Sequence, residues 1–95
     1  MNTQDLNKQL QRALARRRPA GISRVLTRTG TDSTGDRAIW IWLILEDSWA
    51  SAEPDRSKRN EMREWAEKAA SSVSDLWAYV SFRLESEQRE LEQKA

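Results

Sequence analysis

The chain has 95 residues, sixteen Lys/Arg against fifteen Asp/Glu, five tryptophans, and neither cysteine nor histidine. That composition excludes disulfides, thiol chemistry and cysteine-bound metals, and it removes the commonest general base and metal ligand. The length fits one small domain over residues 1–95, with a core modest enough for a second subunit to add materially to stability.

Charge is spread unevenly. Residues 1–37 carry eight Lys/Arg against three Asp, a balance of +5, and residues 38–95 carry eight against twelve, a balance of −4. A basic end of this kind suits an acidic partner, or the acidic end of a second copy. No stretch approaches the roughly 18 apolar residues of a membrane span. The N-terminal residues lack the basic-then-apolar order of a signal peptide. A small cytoplasmic protein of bacterial type is the expectation.

In chain order, a first helix is predicted over about 3–17, capped by Asn2 or Thr3. Leu6, Leu10, Ala13 and Leu14 recur at helical spacing as its apolar stripe. Lys8, Arg12 and Arg16 follow one another on a different face, and Arg16, Arg17 and Arg18 sit where the helix dipole favours cations. Pro19 and Gly21 end the helix. A first strand over about 22–29 alternates Ile22, Arg24, Leu26 and Arg28 with Ser23, Val25, Thr27 and Thr29, an edge strand blunted by arginine. Residues 30–36 are dense in turn formers and too long for a two-residue hairpin.

The second strand, about 38–46, is the most telling segment. Side chains alternate along a strand, so Ile39, Ile41, Leu43 and Leu45 point one way and Trp40, Trp42 and Ile44 the other. A strand apolar on both faces belongs in the middle of a sheet covered on both faces. After a linker over 47–54, a second helix is predicted from Asp55 or Ser57 to about 72, on the stripe Met62, Trp65, Ala66, Ala69, Ala70 and Val73. A third strand follows over about 76–84, with Trp77 and Tyr79 opposite in direction to Ala78, Val80 and Phe82. Residues 85–95 form a frayed or short helical tail. The class is α+β in the order α-β-β-α-β, a three-stranded mixed sheet with helices on one face and the third strand parallel to the second.

With helices on the aliphatic side, Trp40, Trp42, Ile44, Trp77 and Tyr79 line the other side and are the candidate partner-binding residues. Each large aromatic buries roughly 150–250 Å², so together they exceed the roughly 300–600 Å² of a typical monomer's largest apolar patch. Two intrachain covers are open: helix 2's alanine stripe packed on the tryptophans, or residues 85–95 folded back. Three intermolecular covers compete with them. A homodimer is the first and a second protein the next, with the chain as an adaptor or antitoxin-like subunit.

Nucleic acid is the third cover. Sheet aromatics can stack bases while Lys8, Arg12, Arg16, Arg17, Arg18, Arg24 and Arg28 follow phosphates or an acidic partner. The element order resembles the type II KH arrangement, with Ala69-Ala70-Ser71-Ser72 as the stretch corresponding to that family's glycine-bearing loop. That resemblance implies nucleic-acid binding through the basic first helix and the sheet aromatics. A KH domain clamps RNA with Gly-X-X-Gly, and this stretch has no glycine.

The carboxylates do not assemble a catalytic centre. Asp32 and Asp36 lie in the hairpin loop, and Glu46 and Asp47 lie roughly 30 Å away at about 3.3 Å per strand residue. Asp32-Ser33-Thr34-Gly35 reads as turn chemistry. Glu46, Asp47, Glu53 and Asp55 match no defined cation loop. The expectation is a non-catalytic chain with no cofactor and no metal.

Overall fold

A computed structural model describes residues 3–50 and 56–94. In order these form α1 (Thr3–Leu14), β1 (Ile22–Thr31), β2 (Arg37–Leu45), a 3-10 turn (Asp47–Ala50), α2 (Arg56–Val73), β3 (Trp77–Leu84) and α3 (Glu85–Lys94). The expected α+β architecture is present, with a helical C-terminal segment. The proposed caps Asn2 and Asp55, and Glu53 with them, lie outside the described residues.

The sheet order is β1-β2-β3. β1 pairs antiparallel with β2, with a bulge between Ile22 and Arg24. β2 pairs in parallel with β3, from Ala38 opposite Trp77 to Leu45 opposite Leu84. The strand apolar on both sides is therefore central, as its pattern requires. The hairpin between β1 and β2 is closed by Asp32, whose Oδ1 accepts from the amides of Thr34 (3.0 Å) and Asp36 (3.1 Å) and from the Thr34 hydroxyl (2.7 Å). Gly35 supplies the left-handed turn at φ 88°.

On the helix side the central strand is dry. Leu6, Leu10 and Leu14 of α1 and Met62, Ala66, Ala69 and Ala70 of α2 enclose Val25, Ile39, Ile41, Leu43 and Leu45. The alanines let α2 lie close to the strands, and the four inward residues of β2 are at most 1% exposed. α1 is shorter than its composition suggests. It ends at Leu14, and Arg17 takes a left-handed backbone at φ 52°. The indole N–H of Trp65 on α2 donates to the Arg16 carbonyl at 2.9 Å, which fixes the turn into β1. Arg16, Arg17 and Arg18 thus belong to this turn and not to the last helical turn.

α3 takes a different side. It leaves β3 without a loop and folds back over the face opposite α1 and α2, where it contacts β3 and β2. Leu84 acts as its N-cap position: Glu87 accepts the Leu84 amide at 3.2 Å, the carboxylate half of a capping box. Asp47 accepts the Ser86 amide at 3.0 Å.

Candidate partner-binding face

The face under α3 divides in two along β2. At one end Ile44 lies between Arg24 and Arg83 in register and is fully buried. Both arginines are tied to α3. Arg24 grips Glu85 through Nη2 to Oε1 (2.8 Å) and Nε to Oε2 (3.2 Å), and reaches Glu92 through Nη1 at 3.1 Å. Ser23 in the bulge adds a hydroxyl donated to Glu85 at 2.6 Å. Gln88, only 7% exposed, accepts from Arg83 at 2.6 Å and donates to Glu92 at 3.3 Å. These bonds hold two carboxyls in their charged form. The Ser23 hydroxyl and the Arg24 guanidinium keep Glu85 below the usual carboxylate range, and Arg24 does the same for Glu92.

Ile44 is therefore removed from the candidate partner surface. The expectation that it is a contact fails because α3 covers it with a polar clamp. Leu91, the one large apolar residue of the tail, is 48% exposed and takes no part in that clamp.

The other end stays open. Trp40 and Trp42 are half-buried, Tyr79 is 39% exposed and Trp77 is 68% exposed. Trp40 and Tyr79 are cross-strand partners and stack, with centroids 5.7 Å apart and ring planes 20° apart. Trp77 meets Tyr79 edge-on at 6.4 Å. Arg28 lies over Trp40 at 5.6 Å and Arg83 over Trp42 at 6.0 Å, within cation–π range. Leu26, half-buried, sits opposite Trp42. Gly30 makes room for the Trp40 ring, since a Cβ there would stand 3.3 Å from its Cζ3.

The hairpin tip fixes one edge of this platform. The Tyr79 hydroxyl donates to Asp32 Oδ2 at 3.1 Å, so a residue of β3 is tied to the β1–β2 turn across the central strand. The Thr34 hydroxyl and this network lower the Asp32 pKa, and the Asp32 carboxylate raises that of Tyr79. Asp32 is committed as a structural acceptor, consistent with its reading as turn chemistry.

The remaining candidates do not join the platform. Lys8, Arg12, Arg16, Arg17 and Arg18 are exposed and belong to α1 and its following turn. α1 packs on the other face of the sheet, where Gln11 donates to the Val25 carbonyl and to Thr27 Oγ1. Arg24 is engaged by α3. Arg28 alone of the predicted basic residues stands on the aromatic surface with its side chain free of carboxylates among the described residues.

Arg83 was readable as one of the arginines, with Arg24 and Arg28, able to rim the aromatic patch. Sequence reading missed Glu85, Gln88 and Glu92. Their signal is the i, i+3, i+7 spacing of Glu85, Gln88 and Glu92, a polar stripe aimed at arginines on β1 and β3. Among the described residues no group of His, Cys, Asp and Glu could hold a metal ion. No described helix is long and apolar enough to cross a membrane. No family model, curated protein or solved structure matches the chain.

Proposed function

We propose that this chain is a non-catalytic protein-interaction module of the cytoplasm whose association surface is the aromatic half of the sheet. The observation that carries this reading is the contrast across β2: residues facing the helices are dry, while Trp40, Trp42, Trp77 and Tyr79 form an ordered, stacked platform in contact with solvent. Tryptophan, tyrosine and arginine are the side chains that most often anchor interfaces, and here they are pre-organised by stacking and by the Tyr79–Asp32 bond.

The charge on the platform favours a second protein over a copy of this chain on the same face. Arg28 and Arg83 have no carboxylate partner among the described residues. Face-to-face self-association would bring four such guanidiniums together, whereas a partner offering an apolar ridge flanked by Asp or Glu would pair them. That is the role of an adaptor or antitoxin-like subunit. The nucleic-acid alternative draws on the same aromatics, but the basic residues of α1 face away from them, so one strand of nucleic acid would have to wrap around the molecule to use both.

Affinity capture with paired variants tests the reading. Trp42→Ala should lose the retained protein, and the retained protein should shield the tryptophans of the wild type from acrylamide quenching. Lys8→Glu/Arg12→Glu should retain it. Salt-sensitive retention of RNA or DNA that depends on Lys8, Arg12 and Arg16, with Trp42→Ala behaving as wild type, would overturn it.

A further inference from the structure

The two outer edges of the sheet are treated differently. β1 is protected: it is bulged at Ile22/Arg24, carries Arg24 and Arg28, and has its Val25 carbonyl taken by Gln11. Those are the usual devices against strand addition. β3 has neither bulge nor captured carbonyl, and its one charged residue, Arg83, is the last but one of the strand. Its pairing with β2 runs unbroken through all eight residues, and Trp77-Ala78-Tyr79-Val80-Ser81-Phe82 contains no charge and no proline.

β3 is also incompletely covered from the helix side. Ala78, Val80 and Phe82 remain partly exposed, while their neighbours in register, Ile39, Ile41 and Leu43, are fully buried. Two hollows flank the strand beneath α2. One, beside Ala78, is lined by Glu67, Asp75 and Trp77. The other, beside Phe82, is lined by Arg56, Arg59 and Arg63. Arg59 and Arg63 lie over the Phe82 ring at 5.7 and 5.4 Å, and the Arg59 Nε is buried with no acceptor.

We propose that β3 is a dimerisation edge: a second copy of this chain adds its own β3 antiparallel to the first, about a two-fold axis through Val80. Directly opposed residues of an antiparallel pair share a face, so a symmetric pair of identical strands must centre on one residue. Centring on Val80 sets Ala78 against the partner copy's Phe82, Tyr79 against its Ser81, and Trp77 against its Arg83. Small opposes large on both faces, and a tryptophan meets a guanidinium. The same rotation lays the acidic hollow of Glu67 and Asp75 alongside the basic hollow of Arg59 and Arg63 in the other copy. The result is a continuous six-stranded sheet. The contact borders the aromatic platform at Trp77, Tyr79 and Arg83 and leaves Trp40 and Trp42 open on both subunits, and the inference does not depend on the function proposed above.

Light scattering over a dilution series, with single-cysteine variants, tests the edge. The wild type should be a dimer in the micromolar range, and Val80→Lys should weaken dimerisation at least tenfold with the circular dichroism of the fold retained. Arg63→Glu and Glu67→Arg should each weaken it, and the double variant should recover it. Because the chain has no cysteine, Val80→Cys gives one thiol per subunit. Oxidation should join the two subunits, since opposed Cα atoms about 4.5–5.5 Å apart suit a disulfide. Ser81→Cys, two residues out of register, should not cross-link. Trp42→Ala should leave the dimer intact. A monomer at every concentration, a dimer indifferent to Val80→Lys, or one dissolved by Trp42→Ala would overturn the proposal. The first two results leave the use of the aromatic platform by a second protein untouched, whereas loss of the dimer through Trp42→Ala would move self-association onto that platform.

Discussion

The two sides of β2 are built from residues of similar hydrophobicity and end in opposite states. Ile39, Ile41, Leu43 and Leu45 are sealed by two helices whose leucines and alanines supply apolar area. Trp40, Trp42 and Ile44 receive one ten-residue helix that supplies carboxylates and an amide. The difference shows that cover in a small domain need not be greasy. A strand residue can be buried by an ion-pair clamp such as Arg24–Glu85–Glu92, but a clamp reaches only as far as its arginines. Past Arg83 the aromatics are left with cation–π contacts and water.

Substitutions should separate the two sides most sharply at their centres. Leu43→Ala opens a cavity in the dry core and should cost about 3 kcal/mol in denaturant melts. Trp42→Ala, one residue away and facing the other side, should cost only about 1 kcal/mol while removing association with the partner. Equal losses of stability at the two positions would erase the distinction.

The clamp can be probed by acid. Glu85 and Glu92 have folded pKa values held below their unfolded ones, so their contribution is complete above the unfolded carboxylate value of about 4.3 and is lost as pH falls through the folded values. α3 should therefore detach on acidification before the helix-side core melts, seen as rising solvent exposure near Ile44 by hydrogen exchange. Glu85→Gln should release α3 at neutral pH and flatten the acid limb. Tyr79 works in the opposite sense: its raised pKa gives a contribution present below about pH 10 and lost as pH climbs through the folded value. Gly30→Ala should have the smallest effect, within about 1 kcal/mol of wild type. It should still shift tryptophan emission, because the new methyl displaces the Trp40 ring from its stack on Tyr79.

Much of this was legible in the residues. A strand with no polar side could only be central, the third strand could only reach its free edge in parallel after a crossover helix, and the stripe from Met62 to Val73 fixed the face of α2. What stayed hidden has one physical cause. Periodicity detects apolar stripes, and the determinants it missed are polar. Glu85 and Glu92 read as a solvated tail because their partner, Arg24, lies over sixty residues upstream. Ile44 then looked like surface when it is core. The early stop of α1 likewise depends on Trp65 taking the Arg16 carbonyl, a tertiary bond with no local signature. The aromatic side of the sheet was legible as a group, but its boundary was not.

The parallel pairing of β2 with β3 has a consequence for the nascent chain. Synthesis runs from the N-terminus, so α1, β1, β2 and α2 leave the ribosome before residues 77–94 exist as structure. During that interval β2 is an outer strand, greasy front and back, with its hydrogen-bonding rim uncapped. A message truncated before codon 77 would make a product locked in that condition, prone to aggregation and proteolysis. The last eighteen described residues therefore act as the chain's own closing piece.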